Sequence, residues 1–257
     1  MGWRALVSVA AVVVSACVCS EPPTLEGRVI DPWDNPVEGV SVRMPEVAEP
    51  SVTNDKGRFS FPLRAGKYTL RAERAGYIAG ETAVEVKDSD TTSITRIRVI
   101  PEPTSDGYHL IGPESYLQLA PTPVVRVGND LKQFVGIASA GDIEVAGKEL
   151  RAIFHTPLRM DQVARLDIEL HRLTFTKEMV VASVDGNVKV DVNLWTDAGK
   201  VDFQREELGS DDNYVFRMDN LPSGTYAFVS MGLLSPGNEA FDSVAEAVRM
   251  VHPFTVR

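Results

Sequence analysis

An all-β fold built as two successive sandwiches is what this sequence predicts, on three observations. Stretches of alternating apolar and polar residues recur along the chain, each bounded by Gly, Pro, Asn or Asp, the pattern of half-buried strands joined by tight turns. Asp185-Gly186-Asn187 stands between the apolar runs Val180 to Val184 and Val188 to Leu194, a strong hairpin signal because Asp and Gly tolerate the backbone such turns need. Leu63-Arg64-Ala65-Gly66-Lys67-Tyr68 is echoed by Leu221-Pro222-Ser223-Gly224-Thr225-Tyr226, and Asn54-Asp55-Lys56-Gly57 by Thr196-Asp197-Ala198-Gly199. At 257 residues the chain exceeds the usual size of one domain, so two are expected.

Taken in order, residues 1–16 read as a secretory leader. Arg4 gives a positive start, Ala5 to Val14 an apolar run too short to span a bilayer, and Ser15 and Ala16 small residues before a cut. Small residues directly before Cys17 resemble the lipobox of bacterial lipoproteins. That resemblance implies that Cys17 becomes the first mature residue and is the lipidation site, palmitate included; Cys19, preceded by Val18, fits less well. Two or three acyl chains hold a protein on a membrane, whereas one gives only reversible binding. By the same resemblance, Val18, where some sorting rules look for aspartate, implies the outer membrane in a host with two membranes. The expected location is the bacterial cell envelope, periplasmic or surface-facing, and residues 17–24, with Pro22 and Pro23, form an extended tether.

Residues 25–101 alternate as a first domain. Gly27 to Asp31 reads as a strand, Pro32 to Pro36 as a turn, and Val37 to Met44 as a strand. Asn54 to Gly57 suits a tight turn. Arg58 to Phe61, Lys67 to Ala72, Ala83 to Val86 and Ile94 to Ile100 supply further strands. The motifs G-x-V-x-D (Gly27 to Asp31), P-V-x-G-V-x-V (Pro36 to Val42), T-N-D-x-G-x-F-x-F (Thr53 to Phe61) and L-x-x-G-x-Y-x-L (Leu63 to Leu70), closing on Ala75-Gly76-Tyr77, resemble the carboxypeptidase regulatory-like domain. The resemblance implies a seven-stranded, prealbumin-like β-sandwich without catalysis of its own, serving as a folding, spacing or contact module. It also implies turn-making glycines and a core that includes Phe59, Phe61, Tyr68 and Leu70.

Pro101 to Gly107 marks a linker, assigned to 102–107, and 108–257 reads as a second, embellished β-sandwich. Leu166, Ile168 and Leu170 alternate with Asp167, Glu169 and His171, which places His171 on the polar face of a strand. Strands are expected at Asp212 to Met218 and Thr225 to Met231. Phe241, Val244, Ala245 and Val248 fall at helical spacing, which predicts a short C-terminal helix. Pro253 restricts the last strand to a sheet edge.

The chain is acidic, with net charge −10, or −11 once the leader and its Arg4 are removed. It carries no basic stripe, which excludes nucleic acid as a partner. Both cysteines precede the first domain, so no disulfide is expected within the globular part. None of His109, His155, His171 and His252 has a glutamate three residues on, so the zinc spacing of peptidases is missing. G-x-S-x-G and Ser-x-x-Lys are also missing. Glu206-Glu207 with Asp211-Asp212 reads as a solvated acidic loop without the twelve-residue calcium pattern. No catalytic residue, metal or cofactor is therefore expected. The function expected is that of a non-catalytic, lipid-anchored envelope protein whose sandwiches bind or scaffold another envelope protein or a polysaccharide. The alternative is an enzyme acting on envelope or carbohydrate material through the second domain. Trp33, in the Pro32 to Pro36 turn, and Trp195, beside Thr196-Asp197, are the aromatic candidates for ligand contact at loop edges.

Overall fold

The computed structural model describes residues 24–87, 92–130, 132–206, 212–234 and 244–257. Cys17, Cys19 and the leader lie outside the described residues, as do Phe241 and the acidic positions 207–211. The strands run β1 (Thr24–Ile30), β2 (Ser41–Met44), β3 (Val47–Val52), β4 (Arg58–Pro62), β5 (Gly66–Glu73), β6 (Tyr77–Ile78), β7 (Gly80–Val86), β8 (Thr92–Arg98) and β9 (Ile100–Pro101). They continue with β10 (Gly107–Ile111), β11 (Tyr116–Gln118), β12 (Thr122–Gly128), β13 (Gln133–Ile137), β14 (Glu144–Val145) and β15 (Glu149–His155). After the one-turn helix α1 (Met160–Arg165) come β16 (Glu169–Ser183), β17 (Gly186–Val201), β18 (Gln204–Glu206), β19 (Asn213–Asp219), β20 (Gly224–Val229) and β21 (Met250–Val256).

The N-terminal sandwich packs the three-stranded sheet β4-β1-β8 on the four-stranded sheet β3-β2-β5-β7, seven strands among the described residues. Leu25, Val29, Val42, Phe59, Phe61 and Leu70 fill the space between them. The turn at Asn54 closes as expected: its Oδ1 accepts the N–H groups of Lys56 and Arg58, while Gly57 adopts φ 68°. Gly27, by contrast, makes no turn. It sits opposite Phe59 in the β1–β4 register, where a Cβ would overlap the ring. Asp31 fixes the loop that follows, its Oδ1 accepting the N–H groups of Trp33 and Asn35.

The C-terminal sandwich faces the sheet β11-β10-β15-β19-β18 against a larger one, β12-β13-β17-β16-β20-β21-β14. The larger sheet closes on itself, because β12 also pairs β21 through Thr122 with Val251 and Pro123 with Met250. Six strands thus form a ring, which removes two edges. One apolar cluster takes Val124, Ile137, Leu173, Ala227, Val229 and Val251 from these strands, and Trp195 packs against it, so it fills the inside of the ring. A second cluster, with Leu110, Ala152, Leu170, Phe216, Phe228 and Phe254, lies between the two sheets. The two sandwiches meet at Ile78, Ile100, Ile153 and Val215.

Ring closure overturns one expectation. In the β16–β20 register, Leu170 opposes Phe228 and points toward the sandwich core, while His171 and Leu173 oppose Ala227 and Thr225 on the other face. That face is the inside of the ring, so His171 is 1% exposed and not a surface residue. Leu166 and Ile168 precede the strand, Leu166 closing α1.

Asp197-Ala198-Gly199, which echoes the turn at Asn54, lies within β17. The register to β16 shifts there between His171 and Leu173, so the motif makes a bulge with Gly199 at φ 122°. Trp195 is accordingly a strand residue and not a loop-edge one. The last strand, β21, is interior and not an edge: it has β20 on one side and β12 and β14 on the other. Pro253 is tolerated because β12 reaches only Met250 and Val251 and β14 only Thr255 and Val256, leaving a gap opposite the missing N–H. Near the expected C-terminal helix, the described residues hold a single 3₁₀ turn, Glu246–Val248, with Val248 exposed.

Candidate functional site

Strand β13 pairs β17 only through Gly136 with Thr196 and Ile137 with Trp195. Before that point the two strands part, and a crevice of about 230 Å³ opens between them. Its walls are Lys132, just before β13, Gln133, Phe134 and Val135 from the start of β13, Thr176 and Met179 from β16, Thr196 and Asp197 from β17, and Leu234. Two of its polar groups are tied together, since the Thr176 and Thr196 hydroxyl oxygens lie 2.8 Å apart. The Lys132 ammonium sits 5.6 Å from the centre of the Phe134 ring.

Asp197 links the crevice to a buried ionic cluster. Its Oδ1 accepts the Gly199 N–H at 2.8 Å and a hydrogen bond from His171 Nδ1 at 2.8 Å, and His171 Nε2 donates to Glu169 Oε2 at 2.9 Å. Lys200 bonds the other oxygen of Glu169. With a carboxylate on each ring nitrogen, both nitrogens must donate, so His171 is an imidazolium. Burial alone disfavours that charge, but the bonds to Asp197 and Glu169 outweigh it and raise the histidine's pKa. Burial likewise opposes ionisation of the two carboxylates. Lys200 and His171 outweigh it at Glu169, His171 and the Gly199 N–H at Asp197, and both carboxyls are held below their ordinary values. Chemically the cluster is closed: His171 has no free nitrogen with which to take a proton from a substrate. It fastens the bulge of β17 to β16.

The other histidines serve packing. Burial lowers the pKa of His252 to about 4, and its ring lies 4.6 Å from that of Tyr108. His155 Nδ1 pairs with Asn213 Oδ1, and His109 Nε2 with the Ser105 carbonyl.

Trp33 and Trp195 occupy different settings. The Trp33 indole N–H donates to the Gly112 carbonyl at 3.0 Å and its ring meets Tyr116 edge-on at 5.2 Å, so it bridges the two sandwiches. Trp195 packs into the ring interior with Phe175 against it at 5.6 Å, directly behind Thr196 in the crevice wall. The crevice residues Lys132, Gln133, Phe134, Thr176 and Met179 were not legible as a site, because the strands that bring them together are far apart in sequence. The one available signal was Thr196-Asp197 beside Trp195. A broader trough of about 670 Å³ lies on the C-terminal sandwich, with Leu117, Ile143, Val145 and Leu150 among its lining residues.

Residues 24–99 match the model of the carboxypeptidase regulatory-like domain, so the chain carries that domain. The chain is also similar to Bacillopeptidase F of Bacillus subtilis, 40% identical over 78 residues, 29% of this chain and 5% of that protein. Among solved structures, a type II cohesin–X–dockerin complex from Acetivibrio cellulolyticus is 23% identical, over 31% of this chain and 58% of that one, with a TM-score of 0.27. The major pilin subunit of Bacillus cereus is 10% identical, over 91% of this chain and 68% of that one, with a TM-score of 0.28.

Proposed function

We propose that this chain is a non-catalytic binding or scaffolding protein of the bacterial envelope, anchored by acylation of Cys17 and engaging its partner through the C-terminal sandwich. The observation that carries the reading is the crevice beside Asp197. Thr176, Thr196 and Asp197 in its wall are held in place by their neighbours, while the His171 imidazolium next to it has both ring nitrogens committed to carboxylates and none free to take a proton from a substrate. Beyond the points where β13 and β20 leave them, β16 and β17 continue as a two-stranded arm on which Phe175, Met179, Val180, Val184 and Val188 are exposed. Exposed apolar groups gathered on one projection are typical of contact surfaces, and Met179 belongs to both arm and crevice. The regulatory-like domain then acts as a spacer between membrane and binding end.

Crosslinking in cells from single reactive positions on the arm, followed by identification of the bound species, tests this reading. Capture of an envelope protein or polysaccharide by arm positions and not by positions on β3 is the expected result. Equal capture from both would overturn it. For the anchor, labelled palmitate enters the wild-type chain and not Cys17→Ala; continued labelling of that variant would refute the assignment.

A further inference from the structure

The geometry points to a ligand class for the crevice: we infer that it binds one neutral pyranose unit of a polysaccharide. The inference rests on the binding role proposed above and deepens it. Three features of the site support it.

The first is size. Drug-sized ligands fill cavities of roughly 300–1,000 Å³. At about 230 Å³ this crevice has room for one six-membered ring, with its open side left for the rest of a chain.

The second is the balance of hydrogen-bonding groups. Each sugar hydroxyl both donates and accepts, so a site for it needs both kinds of partner. Lys132 supplies donors only, Asp197 in its ionised form acceptors only, and Gln133, Thr176 and Thr196 supply both. Phe134, Val135, Met179 and Leu234 offer an apolar wall for the C–H face of the ring. A purely apolar side chain from a protein partner would fill the same space but cut Lys132, Gln133 and the second oxygen of Asp197 off from water without giving them a partner, which is unfavourable. The Lys132 ammonium and the Asp197 carboxylate balance each other in the crevice wall, which leaves no net charge there to select an acidic sugar or a phosphate.

The third is preorganisation. The Thr196 hydroxyl is held by Thr176 and also lies 3.4 Å from the Thr174 carbonyl. Asp197 is fixed through Oδ1 by His171 and the Gly199 N–H, and its side chain keeps 20% exposure, so Oδ2 is the atom left for a ligand. Groups already held in place lose little freedom when a ligand arrives. The ionic cluster has this positioning role for the site: His171 aims Asp197 and does not touch the sugar.

The test uses the full chain purified in detergent, with the methyl glycosides of glucose, galactose, mannose and N-acetylglucosamine as probes, read by ligand-observed saturation-transfer NMR. At least one should bind with millimolar affinity. Gln133→Ala and Thr176→Val, which change partly exposed side chains, should each weaken binding at least tenfold, while Trp33→Ala, between the two sandwiches, leaves it unchanged. Thr176→Ser, which keeps the hydroxyl, should restore most of it. Silence from all four glycosides, or binding indifferent to both crevice variants, overturns the inference. If crosslinking from the arm still captures a protein while the glycosides stay silent, the sugar site is refuted and the broader binding role stands.

Discussion

The two L-x-x-G-x-Y corners do the same work in both halves of the molecule, while the two turn motifs that accompany them do not. In the N-terminal sandwich the chain leaves β4 in one sheet and enters β5 in the other across Leu63 to Tyr68; in the C-terminal one it passes from β19 to β20 across Leu221 to Tyr226. Each corner buries its leucine and is closed by its tyrosine, the hydroxyl donating to the carbonyl four residues back: Tyr68 to Arg64 at 2.9 Å and Tyr226 to Pro222 at 2.7 Å. The turn motifs diverge. Asn54 to Gly57 reverses the chain, whereas Asp197 to Gly199 bulges a strand that runs straight through. A corner needs only local backbone chemistry, and a hydroxyl reaching four residues back supplies it. Whether an Asx-Gly pair turns or bulges depends on what pairs with the strand around it, and around β17 that is the closed ring.

The contrast has a sharp energetic side. The N-terminal core between its sheets is apolar, while the ring encloses an imidazolium between two carboxylates. His171→Leu is expected to produce the largest change, about 3 kcal/mol of destabilisation in denaturant unfolding, because it leaves Asp197, 20% exposed, without its bonded cation and Glu169, 15% exposed, with Lys200 alone. A loss below 1 kcal/mol would mean that the cluster is solvated and the ring open.

Acid should separate the halves next. All four histidines lie after residue 107, so the N-terminal sandwich has none to titrate. His252 takes its proton at the ordinary 6.5 when unfolded but only at about 4 when folded. The unfolded chain therefore binds more protons in that window, and stability falls as pH drops from 6.5 to 4, by on the order of 3 kcal/mol. The lowered pKa of His109 acts in the same direction. His171 has the opposite sign: its folded pKa lies above 6.5, so its contribution is complete below 6.5 and is lost as pH rises through the raised folded value. Thermal unfolding of His252→Phe across this range should lack most of the acid-side loss. If its profile matched wild type, burial of His252 would not be the cause.

Between the halves, Trp33→Ala removes a hydrogen bond to Gly112 and the edge contact on Tyr116. A destabilisation of about 2 kcal/mol at the junction is expected, enough to split a single calorimetric transition into two. An unsplit, unshifted transition would show that Ile78, Ile100, Ile153 and Val215 hold the junction unaided. The smallest effects test the corners themselves. Tyr226→Phe, in a fully buried ring, should cost about 1.5 kcal/mol and Tyr68→Phe, at an exposed hydrogen bond, about 0.5, measured by chemical denaturation. Equal losses would mean that burial does not distinguish the two corners.

Much of this architecture was legible before any coordinates. The alternation placed most strands within a few residues, and Asp185-Gly186 marked the β16–β17 hairpin, whose two-residue loop is Val184-Asp185. What escaped was the wetness of faces. His171 alternates with apolar residues as a solvent-facing side chain would, yet both faces of β16 near its start are enclosed, one by the five-stranded sheet and one by the ring. Pro253 reads as an edge residue and occupies a local gap in an interior strand. The crevice was hidden for the same reason, since its walls come from strands whose divergence no pattern of period two records.

What the amino-acid order determined by itself is local: where strands begin and turn, which glycines and asparagines bend the backbone, and which tyrosines close a corner. Those outcomes depend on dihedral preferences and on hydrogen bonds spanning a few residues. Only the tertiary structure decided that Thr122 and Pro123 pair with Val251 and Met250. That closure joins segments from opposite ends of the C-terminal sandwich, and the gain from sealing a sheet edge and burying its second face exists only once the whole ring is assembled.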